Sequence, residues 1–270
     1  MNAIPPTQPR AGRTSQSLAP ATPKVAVLDL WKSFAGHEVL RGINLCVYEG
    51  DSLVIVGGSG AGKSVLLKHF VALITPDRGH IVVDGEDLNR ADPRVSLEIR
   101  RKFGMSFQEG ALFDSLDVFE NIAFPLRRHT LKSEDEIAAR VHECLDLVHL
   151  KGVEHQATGE LSGGMRRRVG FARAIALQPE VLLFDEPTTG LDPVTAAVID
   201  RVIVEMRDRL RVTMVTITHD MRSAFRIADR IAMLHRGEII VDAAPELVRD
   251  FADPYVQKFL AGEPTEEDVA

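Results

Sequence analysis

The stretch Gly57-Gly58-Ser59-Gly60-Ala61-Gly62-Lys63-Ser64 decides the fold of this chain. It satisfies the pattern G-x-x-x-x-G-K-[ST], with a short apolar run before it, residues 53–56, and a longer one after it, residues 65–74. A strand, a glycine-rich loop and a helix in this order form the context in which the pattern cradles phosphate. The alternative is a glycine-rich turn that binds nothing, and the motifs described below disfavour it.

Each residue type in the loop has its own chemical task. Glycines let successive backbone N–H groups turn inward around a phosphate, and a helix beginning near Lys63 adds the positive end of its dipole. Lys63 supplies a charge for the β- and γ-phosphates, and the Ser64 hydroxyl is a ligand for Mg²⁺. The segment from Gly57 to Val65 therefore predicts a site for a nucleoside triphosphate.

The composition is that of a folded globular protein. With 270 residues and 45% hydrophobic content, the chain can fill one large α/β domain or two small ones. Acidic and basic residues are interspersed at a net charge of −7, so the sequence does not predict the basic surface that binds nucleic acid. Cys46 and Cys144 are isolated and typical of a reducing compartment such as the cytoplasm. No apolar run approaches the roughly 18 residues that cross a bilayer. If the chain acts at a membrane, we expect it to do so through a partner protein.

The amino-terminal part of the chain falls into two segments. Residues 1–23 are rich in Pro, Ser and Thr with little to bury, and we expect this arm to be disordered. Short β-like runs at residues 25–30, 43–47 and 81–84 predict hairpins beside the phosphate loop. Phe34 lies on a loop among them, and it is either a ring that stacks on adenine or an ordinary core aromatic.

The middle of the chain has helical periodicity. The pattern predicts a helical subdomain at about residues 96–165, inserted into the nucleotide-binding core. A short apolar strand, residues 103–107, ends at Gln108, which is either a surface residue or an amide placed near a metal or the γ-phosphate.

A second glycine motif, Leu161-Ser162-Gly163-Gly164-Met165, directly precedes a predicted helix. Ser162 suits the N-cap, and the two glycines leave backbone amides bare at the positive helix end, which predicts a second anion site. One chain has one γ-phosphate in its own loop, so we expect this site to serve the nucleotide of another subunit. The basic run of residues 166–168 that follows predicts a solvated helix face.

Acidic residues follow a buried strand near the carboxyl half of the chain. Residues 181–184 are a continuous apolar run typical of a parallel strand, and Asp185 and Glu186 come next. At the carboxyl end of such a strand, Asp185 can hold Mg²⁺ and Glu186 can orient or deprotonate a water. Asp192 then precedes an amphipathic helix, and His219 ends another β run within expected reach of phosphate.

These motifs, in this order, resemble the ATP-binding subunit of ABC transporters over about residues 25–245. The resemblance implies ATP and Mg²⁺ as ligands and an α/β P-loop NTPase fold with a RecA-like core. It also implies an antiparallel β subdomain, the inserted helical subdomain, and a domain spanning residues 24–245. Residues 246–270 would then be a tail with a short docking helix, on a surface that the sequence does not identify.

The same resemblance implies a role for each predicted site residue. Phe34 would stack on adenine, Gln108 would contact Mg²⁺ and the membrane partner, and Glu186 would be the catalytic base. Ser162, Gly163 and Gly164 would bind the γ-phosphate across a dimer, Asp192 would be the acid of the D-loop, and His219 would be the switch histidine.

A narrower resemblance lies in Gln108-Glu109-Gly110-Ala111-Leu112-Phe113, in Val118, and in residues 120–127 and 129–130. Met165, where most ABC proteins carry Gln, and the tail segment 253–262 share it. These are similar to the MlaF group, the ATPases of MCE-type phospholipid systems. Arg128 departs from that group, in which Glu is common. The group implies a permease, an MCE-domain protein and, as a further candidate, a STAS-domain protein as partners. It also implies a peripheral position on the cytoplasmic face of the inner membrane.

Two alternatives remain at this point. One is a transport ATPase for another cargo, such as an amino acid or a lipoprotein. The other is a soluble ABC ATPase outside transport, a class that typically fuses two cassettes or carries a long coiled coil, whereas this chain shows one cassette and no heptad run.

Overall fold

The computed structural model of the protein describes residues 22–108 and 110–263. Nearly all of the arm predicted to be disordered, residues 1–23, lies outside the described residues, as do residue 109 and the end of the predicted tail, 264–270. Among the described residues, no helix combines the length and the apolar character that crossing a membrane requires.

The strands of the described residues form two sheets. In chain order they are β1 (Val25–Phe34), β2 (His37–Val47), β3 (Ser52–Val56), β4 (Arg78–Val83), β5 (Glu86–Asp87), β6 (Phe103–Ser106), β7 (Val181–Asp185), β8 (Thr213–Thr218), β9 (Arg230–His235) and β10 (Glu238–Ala243). The smaller sheet is antiparallel in the order β2-β1-β4-β5. The larger has the order β10-β9-β3-β8-β7-β6, and all its pairs are parallel except β10 with β9.

Helices follow most of these strands, and polar side chains cap several of them. Asp117, Ser133, Ser162 and Asp192 each accept a hydrogen bond from a backbone N–H of the helix that they precede. The helices are α1 (Lys63–Phe70), α2 (Pro93–Arg101), α3 (Val118–His129), α4 (Glu134–Leu147), α5 (Gly163–Ile175), α6 (Pro193–Leu210), α7 (Met221–Ile227), α8 (Pro245–Arg249) and α9 (Pro254–Ala261).

The larger sheet is buried on both faces. Val54 and Val56 of β3 point into a core shared with α3 to α7, whereas Leu53 and Ile55 point into a core shared with β1, β2, β4 and α1. Successive side chains of a strand point to opposite faces, and so a strand buried on both sides needs an uninterrupted apolar run. This requirement explains the uninterrupted apolar runs at residues 53–56 of β3 and 181–184 of β7.

The strand order places the predicted site loops at one edge of the larger sheet. β3, β6, β7 and β8 run parallel, so the loops that follow them leave the sheet at the same edge. These loops carry the phosphate-loop motif, Gln108, Glu186 and His219 respectively. The topology therefore gathers residues that are more than 150 positions apart in the chain.

The carboxyl-terminal helix α9 packs on the same chain. Asp253 caps it, Val256 is buried, and the ring centroid of Tyr255 lies 3.6 Å from that of His235 at the end of β9. A Cβ built on Gly58 would lie 3.7 Å from the Tyr255 hydroxyl. The short helix predicted in the tail is confirmed, and the surface on which it docks adjoins the phosphate loop.

Candidate functional site

The phosphate loop has a shape that glycine alone accommodates at two positions. Gly57 has φ +158°, and a Cβ added to it would lie 2.2 Å from the carbonyl oxygen of Leu234. Gly62 has φ +101°, and its Cβ would meet Leu40 at 2.9 Å. Any larger residue would push the loop away from β2 and β9, so these glycines fix where the loop lies.

Lys63 begins α1 and turns back into the loop. Its Nζ donates to the carbonyl oxygens of Gly57 and Gly58, at 2.8 and 2.9 Å, and lies 3.8 Å from Oε1 of Glu186. Burial lowers the pKa of Lys63, and the charges of Glu186 and Asp185 oppose that shift. The loop therefore holds a buried cation directly beside the acids that follow β7.

Asp185 and Ser64 bring a carboxylate and a hydroxyl together. The Ser64 hydroxyl donates to Oδ1 of Asp185 across 3.3 Å. Burial raises the pKa of Asp185, and the hydrogen bond from Ser64 opposes the shift. Hard oxygen ligands of this kind are those that Mg²⁺ prefers, so the residues present fit a magnesium site.

The Glu186 carboxylate has three neighbours that fix its position. Oε2 accepts a hydrogen bond from the Thr189 hydroxyl at 2.8 Å and lies 2.9 Å from Nδ1 of His219, while Lys63 approaches Oε1. The backbone of Glu186 has φ +49°, in the left-handed region that costs a non-glycine residue energy. This backbone conformation and the contacts from three other residues together hold the Glu186 carboxylate in one place.

The loops enclose a cleft of about 750 Å³. Gln108, Glu186 and His219 line it together with residues 58–65 of the phosphate loop. The structure thus brings together most of the residues that the sequence predicts. Sequence reasoning missed the other lining residues, which are Val39, Thr189, Phe259, Gly262 and Glu263.

Phe34 is not among the residues that line this cleft. It ends β1 with 44% of its surface exposed, and the Lys32 ammonium lies 5.3 Å from its ring centroid. A core aromatic would be buried, so the exposure of Phe34 disfavours the second of the two interpretations that the sequence left open.

The predicted second anion site lies outside the cleft. Ser162 caps α5 by accepting a hydrogen bond from the amide of Met165 at 3.2 Å. A Cβ on Gly164 would lie 2.7 Å from Cγ2 of Thr195, so the start of α5 packs on the start of α6. Asp192 caps α6 by accepting from the amides of Val194 and Thr195, both at 3.0 Å.

The basic run after Gly164 is not a uniform solvated face, and that prediction is wrong for Arg167. Its side chain is buried, and it donates to the backbone carbonyls of Gln108, at 2.9 Å, and of Thr189. Arg166, one position earlier, is exposed. Sequence spacing gave no signal for Arg167, because both of its carbonyl partners lie on distant loops.

Comparison with known proteins gives consistent findings. Residues 40–189 match the protein family described as "ABC transporter". The chain is 40% identical over 255 residues to a "Probable ribonucleotide transport ATP-binding protein mkl" of Mycobacterium bovis, which covers 94% of this chain and 70% of that protein. It is 39% identical over 221 residues to the "Intermembrane phospholipid transport system ATP-binding protein MlaF" of Haemophilus influenzae, with 82% and 84% covered.

A solved structure is similar to the whole fold. An ATP-binding cassette in a dimeric post-hydrolysis state, bound to ADP and Pi, superposes with a TM-score of 0.75 at 31% identity. The match covers 82% of this chain and 98% of that one.

Proposed function

The chain belongs to the ABC transporter family, whose ATP-binding subunits hydrolyse ATP, and we propose that two copies of it drive a membrane permease that moves phospholipid. The observation that carries the proposal is the convergence of Lys63, Glu186 and His219 in one cleft at the edge of the larger sheet. Asp185 is hydrogen-bonded to Ser64, which lines the same cleft. A buried cation, a candidate metal ligand, an oriented carboxylate and an imidazole together suit phosphoryl transfer to water.

ATP is bound by the phosphate loop in this proposal. The segment from Gly57 to Val65 supplies backbone amides, Lys63 neutralises the β- and γ-phosphates, and Phe34 stacks on adenine. Ser64 and Asp185 hold Mg²⁺, with the Gln108 amide as a further ligand. When bound, the ion neutralises charge on the phosphate oxygens.

Glu186 takes a proton from the attacking water in this proposal. Its carboxylate lies beside the phosphate loop, and the Thr189 hydroxyl and the His219 imidazole hold it in one orientation. A general base must be within hydrogen-bond reach of the proton that it removes, and so orientation matters as much as pKa. His219 and Gln108 complete the set, because they line the same cleft as Glu186.

Two copies meet head to tail in this proposal. Ser162, Gly163 and Gly164, which do not line the cleft of their own chain, bind the γ-phosphate held by a second copy, with Asp192 beside them. The similarity to a cassette described as dimeric supports this arrangement. ATP then joins the two chains, and its hydrolysis releases them.

The proposed cargo is phospholipid. A relative with 39% identity is named for intermembrane phospholipid transport, and the segment around Gln108 resembles the same group. The partners would be a transmembrane permease, an MCE-domain protein and a STAS-domain protein, with the chain peripheral on the cytoplasmic face of the inner membrane. The relative named for ribonucleotide transport makes a ribonucleotide the second candidate cargo.

Affinity purification from native membranes tests the proposal. The tagged full chain would be extracted in detergent, and both its bound proteins and its bound lipids would be identified by mass spectrometry. A permease with an MCE-domain protein and phospholipid is the expected result. A complex without an MCE-domain protein, whose ATPase responds to ribonucleotides instead, would overturn the cargo and leave the ATPase in place.

A further inference from the structure

We propose that Arg167 is a positioning residue for ATP hydrolysis. It connects helix α5 to two loops: the loop after β6, which carries Gln108 and is called the Gln108 loop, and the loop after β7, which carries Glu186 and is called the Glu186 loop. The inference rests on the proposed roles of Gln108 and Glu186 and adds a residue to which the proposed function gives no role. Through Arg167, the start of α5 at residues 162–164 is joined to the Gln108 and Glu186 loops of the same chain.

The guanidinium of Arg167 spans two loops. Nε donates to the carbonyl oxygen of Gln108 at 2.9 Å, and a terminal nitrogen donates to that of Thr189. Arg167 is 7% exposed. A planar, forked donor can bond two acceptors at once without rotating, which a single ammonium does less well. The side chain therefore fixes the spacing between the two loops.

The Gln108 loop lies directly on α5 around this contact. Arg173, farther along the same helix, donates from Nη2 to the carbonyl of Gly110 at 2.8 Å. A Cβ on Gly170 would lie 2.9 Å from Cα of Gly110, so the two backbones touch where both residues are glycine. Arg167 and Arg173 thus hold the loop on either side of this close approach.

Thr189 carries the connection from Arg167 to Glu186. Its carbonyl accepts from Arg167, while its hydroxyl donates to Oε2 of Glu186 at 2.8 Å. A displacement of Thr189 would move both contacts together. The position of α5 relative to β7 therefore sets the orientation of the Glu186 carboxylate. The same arginine fixes the position of the Gln108 backbone through its bond to the Gln108 carbonyl.

Arg140 offers a matched control. It is also 7% exposed and also donates to two backbone carbonyls, those of Ile175 at 2.6 Å and Ala176 at 3.1 Å. Those carbonyls lie at the opposite end of α5 from the cleft. Arg140 lies on α4, so Arg140→Gln removes guanidinium hydrogen bonds to the far end of α5 without touching the site loops.

The test compares Arg167→Gln, Arg167→Lys and Arg140→Gln in the full chain. It measures kcat and KM for ATP, the Kd of a fluorescent ATP analogue, and the melting temperature. We expect Arg167→Gln to lower kcat at least about tenfold, from the loss of hydrogen bonds made by a charged group. The analogue Kd should stay within about twofold, because Gln108 and Thr189, whose carbonyls accept from Arg167, both lie outside the phosphate loop. Arg140→Gln should lower the melting temperature comparably and leave kcat within about twofold, and Arg167→Lys should be intermediate.

An equal loss of kcat in Arg167→Gln and Arg140→Gln would overturn the inference, since the effect would then be loss of stability alone. If Arg167→Gln does not fold, wild-type kcat in Arg167→Lys would overturn it equally. Glu186→Gln, measured alongside, distinguishes failure of the Arg167 inference from failure of the proposed role of Glu186. If Glu186→Gln retains hydrolysis, the proposed role of Glu186 has failed. If Glu186→Gln loses hydrolysis and both Arg167 variants keep normal kcat, only the Arg167 inference has failed.

Discussion

Nδ1 of His219 lies 2.9 Å from Oε2 of Glu186, although the two residues follow different strands and are separated by 33 positions in the chain. Because β7 and β8 are adjacent and parallel, the residues just beyond their carboxyl ends meet at the sheet edge. The Glu186 carboxylate shares this position with the Thr189 hydroxyl and the Lys63 ammonium. An acid held by three side chains is the centre of the proposed ATPase site.

His219→Ala removes one of the contacts that orient Glu186. We expect kcat to fall about 10- to 100-fold while the affinity for ATP changes little, because misplacing a catalytic group by about 1 Å has effects of that size. His149→Ala is the control, since His149 also pairs with a glutamate, Glu205, but on the exposed surface. Steady-state hydrolysis would measure both. Equal activity in the two variants would exclude His219 from the site.

Asp185→Asn tests the buried carboxylate. Burial raises the pKa of Asp185 above its ordinary 3.8, so its contribution to stability is greatest below pH 3.8 and is lost as the pH rises through the raised value. We expect Asp185→Asn to raise the melting temperature of the nucleotide-free chain by about 2 °C at pH 7.

The same variant should lose Mg²⁺-dependent hydrolysis, because it removes a charged oxygen ligand. The gain in melting temperature should shrink as the pH is lowered toward 3.8, which calorimetry at several pH values would show. A lower melting temperature than wild type at pH 7 would contradict the account.

Gly57 and Gly60 are expected to differ sharply on substitution. Gly57→Ala would place a Cβ 2.2 Å from the carbonyl oxygen of Leu234, whereas Gly60→Ala, at φ +76°, meets open space. We expect a loss of about 3 kcal/mol in the free energy of unfolding for the first and of about 1 kcal/mol for the second. Denaturant unfolding measures both. Similar losses would mean that the loop does not pack on β9 as described.

Phe34→Ala separates adenine stacking from a structural role. Because Phe34 is 44% exposed, the free energy of unfolding should change by less than about 1 kcal/mol. The affinity for ATP should fall about tenfold, the size expected for one stacked base. Phe34→Tyr should restore it, and binding of inorganic triphosphate should be unaffected. Equal weakening of triphosphate binding would rule out a base-specific role.

Local patterns predicted much of the fold and the site. The phosphate loop, the apolar strand before Asp185, the cap at Ser162 and the helix after Asp192 each depend on residues close in sequence, and the structure has all of these elements. Periodicity and capping are local rules, and they succeed where the chain's neighbours decide the structure.

Contacts between distant segments were not predictable in the same way. Arg167 looked like part of a charged helix surface, and its burial depends on carbonyls 59 and 22 positions away in the chain. Thr189 carried only a weak signal, its position three residues after Glu186 in a turn. The tail helix was predicted, but its contact with His235 required knowing where β9 ends.

Glu186→Gln in the presence of MgATP tests the central claim most directly, with Glu205→Gln as a surface control. The molar mass and the bound nucleotide of the full chain would be measured by size-exclusion chromatography with light scattering. The account predicts a stable dimer that carries two ATP and hydrolyses them at least about 100-fold more slowly than wild type. Wild-type hydrolysis by Glu186→Gln, or ATP bound only to monomers, would contradict it.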